Sequence, residues 1–171
     1  MQNNDAKYYP ARKSPRANFH NYSGGEYFVT ICTDEKEHFF GTIADNQMHF
    51  SPVGKYCREQ LESLSNHYKY VSVPLFVVMP NHVHAIIQIN PVRYKNNHGE
   101  EADMPSQQTL LAVVIAGFKR SVTLFARRND HTFGWQQRYH DHIIRGNKDR
   151  VKIAEYINNN VSQWYADCYN K

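Results

Sequence analysis

The run Val77-Val78-Met79-Pro80-Asn81-His82-Val83-His84-Ala85-Ile86-Ile87 constrains this chain more than any other stretch. Its apolar, β-branched residues read as two buried strands, Tyr70–Val78 and His82–Ile89, separated by a Met79-Pro80-Asn81 break. Strand side chains alternate between faces, so His82 and His84 point one way and Val83 the other. Two neutral imidazoles projecting together from a rigid strand are a natural beginning for a divalent-metal site. With ten histidines in the chain, a chance His-x-His pair on an ordinary strand surface accounts for the spacing as well.

The remaining pattern alternates strand and helix. Tyr27–Thr33 reads as a strand, and shorter strands near Phe39–Ile43 and Gln47–Phe50 flank an Asp45-Asn46 turn. Ser51 and Pro52 form a helix start, followed by Val53, Tyr56, Cys57, Leu61 and Leu64 at helical spacing, which predicts a helix over residues 52–66. Residues 90–106, with Pro91, Gly99 and Pro105, read as a mobile loop. After Ser106 the stripe Leu110, Leu111, Val114, Phe118, Val122 and Phe125 predicts a second long helix. Trp135–Ile144 reads as a further strand, and Asn147 as the cap of a last helix through about Trp164. Strands with two long helices on one side predict an α+β sandwich: a ferredoxin-like or RRM-like antiparallel sheet with helices packed on one face.

Size and charge narrow the classes. A chain of 171 residues, 41% hydrophobic and 13% aromatic, suits one domain with a proper core. No apolar run reaches the roughly 18 residues of a membrane span, and the first residues carry no apolar signal region, so a cytoplasmic protein without membrane contact is expected. Cys32, Cys57 and Cys168 fit neither a disulfide framework nor a zinc spacing and are expected reduced. The formal charge of +4 permits nucleic-acid binding, and its distribution is uneven. Residues 1–20 hold Lys7, Arg12, Lys13 and Arg16 against Asp5 alone, which reads as a basic arm ahead of a single domain over residues 21–171. A solvated tail fits that composition equally well. Lys119 and Arg120 on the second long helix, and Arg138 further on, are the other candidate phosphate contacts; a solvated helix face is the plainer reading of the first two.

Chemistry gathers in the last helix. Tyr156 and Asn160, four residues apart, share one helical face. Laid over the strand bearing His82 and His84, that face would bring together a phenol, two imidazoles and an amide oxygen. Such a set suits attack of a tyrosine oxygen on a metal-polarised phosphate. With 12 tyrosines in the chain, composition alone does not select Tyr156. A rival pair, His140 and His142, would also share a strand face, beside Arg138, Asp141 and Arg145.

The ordered blocks Arg12-Lys13-Ser14-Pro15-Arg16, Tyr27–Thr33, Phe76–His84, Phe118-Lys119-Arg120, Trp135–Tyr139, Asp141–Arg145 and Tyr156–Asn160 resemble the single-tyrosine HUH transposases (IS200-like), and most closely the REP-associated tyrosine transposases. The resemblance runs through nearly the whole chain. It implies that His82 and His84 are metal ligands, that Tyr156 is the nucleophile, and that Asn160 completes the metal site. It further implies cleavage of single-stranded DNA beside a hairpin through a covalent 5′-phosphotyrosine, with Mg2+ or Mn2+ as cofactor. The family commonly has Asn-Pro where this chain has Asn160-Val161, so a helix free to run on past Asn160 is expected. The oligomeric state, monomer or homodimer, stays open. Two other readings stand beside this one: a non-catalytic nucleic-acid-binding module with an RRM-like sheet, and an HUH replication initiator or relaxase.

Overall fold

The computed structural model describes residues 25–90, 93–95, 101–103 and 110–170. The basic arm with Arg12, Lys13 and Arg16 lies outside them. In chain order the elements are β1 (Gly25–Cys32), β2 (Gly41–Ala44), β3 (Gln47–Phe50), α1 (Pro52–Glu62), the short α2 (Leu64–His67), β4 (Val71–Val78), β5 (His82–Ile89), β6 (Arg93–Lys95), β7 (Glu101–Asp103), α3 (Leu110–Arg128), β8 (His140–Ile143) and α4 (Asn147–Asn159). A 3-10 turn over Trp164–Ala166 follows.

The main sheet has the order β4-β5-β1-β8, antiparallel at every pairing. With α1 between β1 and β4, and α3 between β5 and β8, this is the βαββαβ ferredoxin-like arrangement. Alternation sorts the two faces. Tyr27, Val29 and Ile31 of β1 and Val83, Ala85 and Ile87 of β5 pack under α1 and α3 with Cys57, Leu61, Leu111, Val114 and Phe118. Each buried Val, Leu, Ile or Phe among them contributes about 1.5–3 kcal/mol. The opposite face carries Phe28, Ile86 and Val77, and α4 covers it through Ile153 and Ile157. His82 and His84 therefore face α4, with Thr30 opposite His84 and Cys32 opposite His82 in the β1 register.

Local chemistry explains the boundaries. Asp45 and Asn46 both take positive φ, as a tight two-residue hairpin requires, and join β2 to β3. Ser51 accepts from Gly54 N and caps α1 as expected. Gly54 itself is a close-approach position: a Cβ there would lie 2.0 Å from the Phe40 carbonyl oxygen.

Four expectations are corrected. The stretch read as a mobile loop contains the β6–β7 ladder, Arg93 pairing with Asp103. The strand expected over Trp135–Ile144 is confined to β8, because Trp135 turns inward against Phe40, Phe118 and Phe133. There Lys119, rather than a neighbouring strand, takes the Gln136 carbonyl at 2.6 Å. Asn147 is the first helical residue, not the cap; Asp149 instead reaches back to accept from Arg145 N at 3.0 Å. The last helix stops at Asn159 despite the missing proline. Three consecutive asparagines are weak helix formers, and beyond them Trp164 is buried against Ile43 and Met79 with Val161 alongside, which turns the chain inward.

Candidate active site

The Met79-Pro80-Asn81 break is a rigid turn. Thr33 N donates to Asn81 O at 2.9 Å, Phe40 N to Pro80 O at 3.0 Å, and Met79 N to His82 O at 2.8 Å. From it β5 starts with His82 and His84, whose rings lie 4.5 Å apart and are almost fully buried. Each ring is held through Nδ1: that of His82 lies 2.8 Å from Asn81 Oδ1, and that of His84 lies 2.9 Å from Thr30 Oγ1. Nε2 of both is left to face the site, which is the orientation a hydrogen-bond partner on the other ring nitrogen gives to metal-binding histidines.

Burial keeps both imidazoles neutral. It pushes the His82 pKa down to about 2, with the neighbouring His84 adding to the effect, and the His84 pKa down to about 3. Neutral imidazole is the ligand form.

α4 delivers Tyr156, whose Oη lies 3.1 Å from His84 Nε2 and whose ring meets Phe28 edge-on. Tyr156 is 40% exposed, so the nucleophile candidate is open to a large substrate. Burial, reinforced by the charge of Asp167, raises its pKa, so the phenol is protonated at rest. Asn160 sits at the end of α4, 2% exposed, and bears on both His82 and Tyr156, yet its Oδ1 makes no hydrogen bond of good geometry among the described residues.

The segment after α4 closes the site, and sequence reasoning did not foresee it. His82, His84 and Asp167 offer ligand atoms that all lie within 4.8 Å of one another. Tyr169 packs over His82 at 4.5 Å, and Lys36 reaches across the Tyr169 ring to the Cys168 carbonyl. Beside this cluster a cavity of about 160 Å³ is lined by Tyr156, Asn160, Gln163, Ala166, Asp167 and Cys168. His82 Nε2 is buried without a hydrogen-bond partner among the described residues, like Asn160 Oδ1. Unsatisfied buried lone pairs beside a carboxylate are costly by themselves and fit a bound divalent cation.

The other candidates fall elsewhere. Lys119 is tied to the Gln136 carbonyl and stands over Trp135, and burial lowers its pKa. Arg120 is exposed on α3, which packs on the sheet face away from the histidines. Arg138 is exposed in the segment leading into β8. The rival pair lies on that edge strand, where His142 is paired with Asp149 at 2.8 Å. Among the described residues, no helix is long and apolar enough to cross a membrane.

No family model matches the chain. An uncharacterized protein of Haemophilus influenzae is 38% identical over 164 residues, covering 91% of each chain. Among solved structures, a REP-associated tyrosine transposase bound to a REP hairpin superposes with a TM-score of 0.60 at 16% identity, covering 90% of this chain and 74% of that one. A transposase candidate from Deinococcus radiodurans R1 overlaps more loosely, with a TM-score of 0.43 at 14% identity, covering 86% of this chain and 97% of that one. The chain belongs to one family with the Haemophilus influenzae protein, and its fold is that of the REP-associated tyrosine transposase.

Proposed function

We propose that this chain is a metal-dependent single-stranded DNA endonuclease and strand transferase, acting beside hairpins through a covalent 5′-phosphotyrosine. The observation that carries the reading is the approach of Tyr156 Oη to 3.1 Å from His84 Nε2, at the edge of a cluster of neutral imidazoles and one carboxylate. His82, His84 and Asp167 would hold the ion, with the Asn160 oxygen alongside. Bound there, Mg2+ or Mn2+ would neutralise phosphate charge in the ground and transition states; Mg2+ is the abundant ion, and two imidazoles favour Mn2+ at equal concentration.

The chain's own groups supply the rest. Tyr156 Oη attacks phosphorus, the bond from phosphorus to the 3′ oxygen breaks, and the proton lost by the phenol is balanced by the one the released 3′-hydroxyl gains. Exposure of Tyr156 at the rim lets a flexible strand bring its phosphate down to the site, whereas a stacked duplex would first have to open at a cost of a few kcal/mol. The hairpin seen with the structurally similar transposase supports that substrate class. Arg12, Lys13, Arg16, Arg120 and Arg138 remain candidates for phosphate contacts.

Incubation with a single-stranded hairpin and Mg2+ should yield an SDS-resistant protein–DNA adduct, lost in chelator and absent with a fully paired duplex. An adduct formed equally well in excess chelator would refute the metal-dependent mechanism. Hairpin binding without any adduct would favour the non-catalytic reading instead.

A further inference from the structure

Asn81, directly before His82 in the turn between β4 and β5, is 1% exposed and uses its whole amide. Its Nδ2 donates to the Lys36 carbonyl at 3.0 Å and to the Tyr169 carbonyl at 2.8 Å, and its Oδ1 lies 2.8 Å from His82 Nδ1. The orientation of the amide follows from chemistry alone. Backbone carbonyls only accept, so the nitrogen must face them and the oxygen must face the ring. A carbonyl oxygen also only accepts, so His82 Nδ1 must carry the hydrogen. With that hydrogen on Nδ1, Nε2 is the nitrogen turned to the site, where it is buried with no hydrogen-bond partner among the described residues.

The same side chain reaches the other half of the site. Tyr169 lies two residues beyond Asp167, so the bond to its carbonyl holds the carboxylate's segment against the turn that launches β5. We infer that Asn81 is a positioning residue for the candidate metal site: it selects the His82 tautomer that presents Nε2, and it docks the segment carrying Asp167 beside it. Two ligands that are 85 positions apart in sequence (167 less 82) are thereby set by one amide. The metal part of this inference rests on the proposed function; the tautomer part stands without it.

The two parts are read separately. In metal-free wild-type protein at neutral pH, 15N NMR of the histidine rings should show the His82 proton on Nδ1. A proton on Nε2 overturns the inference. Asn81→Asp keeps an acceptor for the ring but sets its second oxygen against two carbonyls, so the Nδ1–H tautomer should survive while binding of Mn2+ weakens. Asn81→Ala should lose both, with a mixed tautomer and Mn2+ affinity lower by about 10- to 100-fold, the usual cost of removing such a partner. Mn2+ binding by wild type with undiminished affinity in either variant refutes the role of Asn81 and leaves the proposed function standing. A wild-type protein that binds no Mn2+ at all refutes the proposed metal dependence, and with it the metal part of the inference, while the NMR result still decides the tautomer.

Discussion

Lowering the pH from about 7.5 to about 5 in chelator should protonate His82 and His84 in the unfolded chain and leave them neutral in the folded one. Their ordinary pKa is 6.5, and burial holds them at about 2 and about 3 in the fold. Because the folded values are depressed, the unfolded state binds more protons below pH 6.5. The contribution is therefore fully present above that value and is lost as the pH falls towards 3. Each group costs about 1.4 kcal/mol per pH unit once the pH is well below 6.5, so the pair costs about 4 kcal/mol in all between pH 7.5 and 5. That is a large share of the roughly 5–15 kcal/mol that stabilises a domain of this size. With a urea m-value of about 2 kcal/mol/M, the midpoint should drop by about 2 M. Urea titrations followed by circular dichroism, on wild type and on a His82→Gln/His84→Gln variant, isolate the pair from the exposed histidines. A wild-type midpoint that moves no further than the variant's would refute the buried, neutral pair.

Three further outcomes are expected. Asp167→Asn should weaken Mn2+ binding by about tenfold or more, and by more than Asn160→Ala does, in direct titrations; equal affinity in Asp167→Asn and wild type would remove Asp167 from the ligand set. Tyr156→Phe should abolish the adduct while changing stability by less than about 1 kcal/mol, since the ring is half exposed. It should also tighten Mn2+ binding, because the hydroxyl no longer competes for His84 Nε2. Gly54→Ala should cost about 1–3 kcal/mol in thermal unfolding, because its Cβ would lie 2.0 Å from the Phe40 carbonyl oxygen, with adduct formation per folded molecule unchanged.

The strand that carries the histidines was legible because alternation is local: Val83, Ala85 and Ile87 demand one face, and His82 and His84 are left the other. Ser51, Pro52 and the Asp45-Asn46 turn were legible for the same reason, each acting over a few residues. What escaped depends on contacts across the chain. Thr30 meets His84 only through the β1–β5 register, and Asn81 meets Tyr169 across 88 positions. Asp167 sits among turns with no periodicity, and the aromatics Trp164 and Tyr169 in a polar stretch are the local sign that the segment docks. The strand expected from Trp135 is too long because Trp135 makes a single bridge to Thr33 and packs on the core, and the pairing is not continued until His140.

The candidate site is assembled from parts of unequal permanence. β5 is bonded on both sides, to β4 and to β1, so its amides should exchange with solvent only when the whole domain opens. Residues 164–170 run through turns, with no strand or α-helix of their own. The hydrogen-exchange profile should therefore split within one site, with slow protons under the imidazoles and fast ones around Asp167. The dwell time of anything bound there would follow the faster clock, since local release of that segment uncovers the histidines without disturbing a single rung of the sheet.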